Sequence, residues 1–292
     1  MRISATQKTA YTILTVITIA ILSVIYGCNR DVRKTDKQVI TVSIPPIKYL
    51  VEEITCGDFD INVILPHGSS PETYSPTPQQ LIDVSKSDIL FYTGLLDFEN
   101  ELMKRLPDTG KPVSLSVGMD LISDDGHDHN HNGLGVDPHI WTSPERLKIM
   151  SANIYDAVNK RFPDSTKYTT AYSNLIERLD SLSAQIKKTL NETSTKVFVI
   201  YHPALTYYAE DYGLTQISIE NEGKEPSATH LKSVIETINK ENIGHILYQQ
   251  QFSVSVTEAV SKETNATPIE IDPLAENIVA EITAITNIIS SR

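Results

Sequence analysis

Hydrophobic residues follow two alternating periods along the chain from residue 39 onward. The apolar run Val39–Ile44 predicts a strand, and apolar side chains at helical spacing over residues 47–54 predict a helix after it. Residues 59–65 then alternate between apolar and polar, as in a half-buried strand. The pattern continues with a capped helix at 78–86, a strand at 89–92 and a helix that starts at a second capping box, Thr142–Glu145, and reaches about residue 160. Strand and helix thus alternate through this region, which indicates an α/β layered domain.

Residues 164–190 have a different pattern, with apolar side chains every three or four residues and no Gly or Pro. This spacing predicts one helix of about 25 residues, about 38 Å long. Strands are predicted after it at 197–201, 216–219, 243–248 and 268–271, and helices at 203–211, from Ser227, at 254–264 and at 276–290. The predicted fold class is α/β, with two α/β lobes of small, mainly parallel sheets joined by a single long helix. We expect an N-terminal lobe at 39–163, the linking helix at 164–190 and a C-terminal lobe at 191–292.

The N-terminal residues 1–27 predict a lipoprotein-type signal peptide. Arg2 and Lys8 precede the uncharged run Tyr11–Tyr26, which is shorter than the roughly 20 residues that a spanning helix needs. Gly27 and Cys28 resemble a bacterial lipobox, so we expect a lipid on Cys28 that anchors the chain to a membrane. The alternative is an uncleaved or short anchor helix. Residues 28–38 are polar and are predicted to be a tether.

Charge and composition narrow the class of protein. The 292 residues carry 25 Lys+Arg against 37 Asp+Glu, a formal net charge of −12. This argues against a nucleic-acid binder, because such a protein needs a basic surface to displace cations from phosphates. The sequence has no H-E-x-x-H, no G-x-S-x-G and no phosphate-binding glycine loop. We therefore expect a protein that is not an enzyme.

Side chains that can bind metal stand at the carboxyl ends of several predicted strands. His202 and Asp272 each follow a strand directly, and His67 follows the strand at 59–65, with Glu72 five residues further on. His139 lies just before the capped helix at 142. In open α/β sheets ligands bind beyond such strand ends, although a lone strand-end histidine is more often a satisfied polar residue than a ligand. Several such positions together favour a shared metal site.

Three further histidines alternate in a loop rich in Gly, Asn and Asp. His127, His129 and His131 lie in this loop. Short His-rich tracts bind zinc and similar divalent ions through neutral imidazole. We expect an accessory metal-binding segment with weak, exchangeable sites; the alternative is a solvated polar loop.

Six short segments follow one another in a fixed order: Pro71–Pro78, Asp137–Pro144, Tyr201–Ala204, Glu222–Ser227, Gln249–Phe252 and Ile271–Leu274. With the His-rich loop before the second, they resemble the substrate-binding lipoproteins of bacterial zinc and manganese ABC importers. The resemblance covers residues 38–292. It implies a receptor, expected to be monomeric, in the periplasm or on the outer surface of a membrane. Such a receptor captures a divalent metal between its lobes and delivers it to an ABC permease.

The resemblance also implies a ligand set. His139 and His202 stand where the family places metal-binding histidines, and Asp272 stands where it places a carboxylate. The first ligand departs from the family's Pro-His-x-Tyr pattern, because Glu72 replaces that histidine and His67 lies five residues earlier. With His67 the set is rich in nitrogen and suits Zn²⁺; with Glu72 it tolerates manganese or iron better. We expect zinc as the ligand, with Mn²⁺ as the alternative.

Two functions of other classes stay open. A zinc hydrolase would keep an open coordination position for water and would need a general base, which Glu72 could supply if His67 were a ligand. An adhesion or surface-structural lipoprotein would bind metal only incidentally.

Overall fold

The first four strands form one parallel sheet. The protein is seen in a computed structural model that describes residues 37–106, 112–123, 135–163, 166–220, 225–252 and 254–291. The strands are β1 (Val39–Val42), β2 (Asp60–Val63), β3 (Ile89–Tyr92) and β4 (Pro112–Ser114). Their order in the sheet is β2-β1-β3-β4, and all three pairings are parallel. The register pairs Val42 with Val63 on one side and with Phe91 on the other.

The second sheet repeats the strand order of the first. Its strands are β5 (Val197–Ile200), β6 (Thr215–Ser218), β7 (His245–Gln249) and β8 (Thr267–Ile271), in the order β6-β5-β7-β8 and again parallel. In each sheet the chain changes direction between its first and third strand. Such topological switch points, here β1/β3 and β5/β7, are where ligands bind in open α/β sheets.

Helices connect the strands and flank both sheets. In the parts of the chain that the structure describes they are α1 (Pro45–Thr55), α2 (Pro78–Lys86), α3 (Asp97–Arg105), α4 (Pro144–Arg161), α5 (Thr166–Asn191), α6 (Thr206–Tyr212), α7 (Ala228–Glu241), α8 (Val254–Thr264) and α9 (Ile278–Ser290), with a 3₁₀ turn at Ile140–Thr142. The 26-residue helix α5 stands in sequence between the two sheets. The predicted fold class, two α/β lobes with parallel sheets and one long helix between them, is confirmed.

The starts of α2 and α7 follow the capping chemistry that the sequence predicts, whereas α4 is capped by Ser143 and not by Thr142. The Thr77 side chain accepts a hydrogen bond from the Gln80 backbone N–H, and the Gln80 side chain accepts from the Thr77 backbone, so α2 opens with a complete capping box. Ser227 caps α7 by accepting from the His230 backbone N–H at 3.2 Å. These side chains satisfy backbone donors that the first turn of a helix leaves unpaired.

One hydrophobic cluster runs through both lobes. It includes Ile40 of β1, Trp141 of the 3₁₀ turn, Leu179 of α5 and Ile200 of β5, all fully buried. A smaller cluster that contains Val199 covers the other face of the second sheet. Because the larger cluster crosses from one lobe to the other, separating the lobes would expose apolar surface, which opposes wide opening.

Two elements were not predicted from the sequence, helix α3 and the three-residue strand β4. The predicted signal peptide, the lipidation site Cys28 and the histidines His127, His129 and His131 lie outside the described residues. Within the residues that are described, no helix has the length and apolar character needed to cross a membrane.

Candidate metal centre

Three side chains that can bind metal come together between the lobes. His202 Nε2 lies 2.9 Å from Glu72 Oε1 and 3.4 Å from His139 Nε2. One ligand atom from each of the three residues lies within 4.8 Å of the other two, and no other such group occurs in the described parts of the chain. Both histidines are buried, and the Glu72 side chain is 25% exposed. The site is therefore shielded from water and open mainly on the Glu72 side.

His202 is placed by the switch point of the second sheet. It follows β5 by two residues, and its backbone is bonded to the side chain of Gln249, the last residue of β7. The Gln249 amide donates to the His202 carbonyl at 2.7 Å, and its oxygen accepts from the His202 N–H at 3.3 Å. These two hydrogen bonds hold the His202 backbone against the neighbouring strand and so fix the position from which its imidazole ring extends.

His139 is placed by a tight turn before α4. Asp137 Oδ1 accepts the His139 backbone N–H at 2.7 Å and lies 3.0 Å from His139 Nδ1. The Trp141 indole N–H in the following 3₁₀ turn donates to the Pro273 carbonyl at 2.8 Å, across to the loop after β8. The turn that carries His139 is thus attached to both lobes.

Each of the two histidines has a buried carboxylate on its Nδ1. Glu220 Oε1 lies 2.8 Å from His202 Nδ1, as Asp137 does at His139. An ionised carboxylate can only accept, so Nδ1 donates in both pairs and Nε2 is the nitrogen that faces the group. A metal-binding histidine held in this way keeps one tautomer and one ring orientation.

The charges around His202 favour its protonated form when no metal is bound. Burial acts to lower the pKa of His202, but the hydrogen bonds and charges of Glu220 and Glu72 outweigh it and raise the pKa to about 10. Burial also acts to raise the pKa of Asp137, yet the His139 charge and hydrogen bonds to its carboxylate outweigh burial and lower the pKa. A divalent cation at Nε2 would displace the His202 proton and take over its contacts with the carboxylate.

Aromatic rings and a small cavity complete the site. Phe252 stacks on the His202 ring with centroids 5.0 Å apart, and Trp141 lies 5.3 Å from the His139 ring. The cavity between them measures about 30 Å³ and is lined by Glu72, both histidines and the loop after β8. A space of this size accommodates a single ion or a water molecule.

The other two residues predicted as ligands lie together, outside this group. His67 Nε2 is 3.9 Å from Asp272 Oδ2, and the His67 side chain is 79% exposed. Asp272 Oδ1 accepts from the Leu274 N–H at 3.1 Å. Pro273 and Leu274, the two residues that follow Asp272, line the cavity. Whether His67 or Asp272 ligates a metal stays a prediction.

Glu220 was missed from the sequence. It stands two residues beyond β6, and its backbone N–H still donates to Tyr201 of the neighbouring strand, which leads directly into His202. A carboxylate at the end of a strand is a detectable signal, but it points to His202 only once β5 and β6 are known to be neighbours.

The donor set defines what the site can do. Two imidazole nitrogens and one carboxylate oxygen are ligands that Zn²⁺ binds in proteins. Donors at 2.0–2.1 Å from a tetrahedral zinc ion are about 3.4 Å apart. The separation of 3.4 Å between the two Nε2 atoms therefore fits such an ion without a large rearrangement of the histidines.

Solved structures with this fold define the class of protein. A crystal structure of ZnuA superposes with a TM-score of 0.80 and is 32% identical, covering 87% of this chain and 98% of that one. A zinc-bound deletion mutant of ZnuA gives a TM-score of 0.78 at 32% identity, with 87% and 97% covered. The chain therefore falls in the structural class that these ZnuA structures define, in which two α/β lobes with parallel sheets are joined by one long helix.

The family can be stated more narrowly. The family model described as zinc-uptake complex component A, periplasmic (ZnuA), matches residues 40–287, so the chain belongs to the ZnuA family. The zinc-binding lipoprotein AdcA of Streptococcus pneumoniae is 27% identical over 275 residues, which is 88% of this chain and 54% of AdcA. The chain therefore spans about half the length of that relative.

Proposed function

We propose that this protein is an extracytoplasmic receptor that captures zinc between its lobes and delivers it to an ABC permease. The observation that carries the proposal is the buried group of Glu72, His139 and His202. Its two histidines come from different lobes and present their Nε2 atoms at a spacing that suits one ion. Membership of the ZnuA family supports the transport role.

Zinc fits this donor set better than manganese. Two imidazoles, each with a carboxylate on Nδ1, form a basic nitrogen pair that borderline ions such as Zn²⁺ favour, whereas Mn²⁺ favours oxygen ligands. By the Irving–Williams order zinc also binds more tightly than manganese at nearly any such site. A manganese or iron receptor of the same importer class is the alternative, and the Glu72 carboxylate is the feature that favours it.

We propose Asp272 as the residue that completes the zinc coordination. The two residues that follow it line the cavity, so a small movement of this loop would bring the carboxylate towards the ion. His67 lies 3.9 Å from Asp272 and is the remaining candidate for a ligand. Glu72 is our choice for the first ligand because it already contacts His202.

Two further parts of the proposal concern the membrane and the His-rich loop. We propose that Cys28 carries the lipid that keeps the receptor at a membrane. The accessory histidines His127, His129 and His131 fall between Ser123 and Val136, which form an antiparallel bridge just before Asp137. These histidines therefore come shortly before the turn that carries His139 in the sequence.

Metal analysis of the purified protein tests the proposal. The wild type is expected to retain one zinc ion in the presence of a chelator strong enough to strip the His-rich loop. Glu72→Ala, His67→Ala and His202→Ala are compared with the control His230→Ala, whose ring is bonded to the Ser218 carbonyl instead. If neither Glu72→Ala nor His67→Ala weakens zinc binding, the first-ligand assignment is wrong.

If His202→Ala retains zinc, the proposed zinc site is wrong as a whole. Tighter retention of manganese than of zinc by the wild type would favour the alternative receptor. Hydrolysis of generic ester or peptide substrates by the zinc-loaded protein would instead support a zinc hydrolase.

A further inference from the structure

The side-chain hydroxyl of Tyr207, in the second lobe, makes hydrogen bonds to the segment of the first lobe that carries His139. Tyr207 lies in the first turn of α6, five residues after His202, and is fully buried. Its hydroxyl donates to the Asp137 carbonyl at 2.8 Å and accepts the Ile122 backbone N–H at 3.3 Å. One hydroxyl thus satisfies two backbone groups of the other lobe.

The two backbone groups belong to a pair of short extended segments. Ser123 bridges Val136, and the Asp137 N–H donates to the Ile122 carbonyl at 3.0 Å. The Tyr207 hydroxyl sits at the end of this pair, where the chain turns into Asp137 and His139. Because the Asp137 side chain is bonded to both the backbone and the ring of His139, the position of Asp137 determines that of the ring.

Arg146 fixes the same contact from the other side. Its guanidinium lies 5.2 Å from the centre of the Tyr207 ring, within the range of a cation–π interaction. It also donates to the Asp120 carbonyl at 2.9 Å and to Asp211 of α6 at 3.3 Å. The Tyr207 ring is therefore held in place independently of its hydroxyl.

We infer that Tyr207 is a positioning residue for metal binding, whose hydroxyl fixes the spacing between His139 in one lobe and His202 in the other. The inference rests on the proposed metal site. The contacts run from His202 through the start of α6 to the Tyr207 hydroxyl, then through Asp137 to His139. The bond from the Trp141 indole N–H to the Pro273 carbonyl is a second connection to the second lobe, and it reaches the turn that follows His139.

Tyr208 provides a matched control within the same helix. It is also fully buried, but its hydroxyl is bonded to Thr286 of α9, inside the second lobe. Tyr207→Phe and Tyr208→Phe each remove one buried hydroxyl and keep the ring. Only Tyr207→Phe removes a bond to the segment that carries His139.

Zinc affinity of the full-length protein is measured by competition with a chromophoric chelator for the wild type and both variants. Tyr207→Phe is expected to weaken zinc binding by at most about 10-fold, because loss of a direct partner of a metal ligand costs about 10-fold or more and Tyr207 acts one step further out, through Asp137. Tyr208→Phe is expected to stay within about twofold of the wild type, since its hydroxyl does not reach the site. The visible absorption spectrum of the cobalt-loaded protein should be retained in Tyr207→Phe, because Tyr207 is not itself a ligand.

Equal affinities for Tyr207→Phe and the wild type would overturn the inference, as would equal losses in both variants. If the wild type binds no zinc, the proposed function fails, and the wild type and both variants are then compared in the metal-free state by amide hydrogen exchange. In that comparison the amides of Ile122 and Asp137 should exchange faster in Tyr207→Phe but not in Tyr208→Phe. If Tyr207→Phe does not fold, the wild-type amides decide: Ile122 should be as protected as α6, and an exposed-like rate would refute the bond.

Discussion

Removal of the Glu220 carboxylate should weaken zinc binding although Glu220 does not contact the metal. The carboxylate lies 2.8 Å from His202 Nδ1, and both residues are about 95% buried because only 4% and 6% of their surfaces are exposed. In Glu220→Ala the Nδ1–H loses its partner in a dry site, which costs about 1–3 kcal/mol. Loss of an outer partner of a metal-binding histidine typically weakens binding about 10–100-fold, which is about 1.4–2.7 kcal/mol. The two estimates agree.

The assay is competition for zinc between the protein and a chelator of known affinity. Glu220→Gln keeps an oxygen that can accept from Nδ1, so it should lose less than about 10-fold. Glu236→Ala is the control, because the Glu236 side chain on α7 is 67% exposed and should leave zinc binding unchanged. If the wild type binds one zinc ion and Glu220→Ala binds it with the same affinity, Glu220 has no role in holding His202 for the metal.

One competing effect must be separated in this experiment. In the metal-free protein Glu220 also helps to retain the His202 proton, so its removal eases proton release at neutral pH. The comparison is therefore repeated at pH 7 and pH 8.5. The loss caused by misplacement of the ring should persist at the higher pH, where proton competition is weaker.

Three further predictions concern protons and stability. Because the pKa of His202 is raised to about 10, zinc must displace its proton. Zinc affinity should therefore rise with pH through neutrality, and about one proton should be released from this residue for each ion bound. Calorimetry in buffers of different ionisation enthalpy measures that release. Glu99 is fully buried and accepts hydrogen bonds from the backbone N–H groups of Thr93, Gly94, Leu95 and Leu96, so Glu99→Ala should lower the free energy of unfolding in urea by at least about 3 kcal/mol. Glu101→Ala on the exposed face of the same helix should leave the free energy of unfolding nearly unchanged, and equal losses in the two variants would contradict the role of burial. Burial acts to raise the pKa of Glu145, but the hydrogen bonds from Lys148 and Ser183 outweigh it and lower the pKa to about 2. The difference in Tm between the wild type and Glu145→Gln should therefore have its full size above about pH 4.5 and disappear as the pH falls through about 2.

The order of the elements could be predicted from the sequence because most of them have clear local patterns. The capping box at Thr77 fixes the start of α2, and the long uninterrupted spacing predicts α5 within two residues of its observed start, Thr166. Helix α3 was missed because its nine residues include few apolar ones, Phe98, Leu102 and Met103, which leaves only a weak helical period. Its start depends on buried Glu99, and one carboxylate at that position has no periodic signal.

The candidate site was predictable only in part. His139 and His202 are indicated by their places at a helix start and a strand end, and the structure brings their Nε2 atoms to 3.4 Å. The sequence could not choose between Glu72 and His67, because both lie on the loop after β2 and each contacts a residue that is far away in sequence, His202 and Asp272 respectively. The structure places Glu72 against His202 and leaves His67 exposed.

Contacts between the lobes were the least predictable feature. The Tyr207 hydroxyl reaches residues that are 70 and 85 positions away in sequence. No local pattern of apolar or polar residues reports such a distance, so Tyr207 could be recognised from the sequence only as a core aromatic residue.

Zinc capture between the lobes is tested most directly by a crystal structure of the zinc-loaded protein with anomalous data at the zinc edge. We expect one strong anomalous peak between the lobes, about 2.0–2.2 Å from Glu72 Oε1 and from the Nε2 atoms of His139 and His202. A peak that contacts neither histidine, or no ordered zinc between the lobes at full loading, would contradict it.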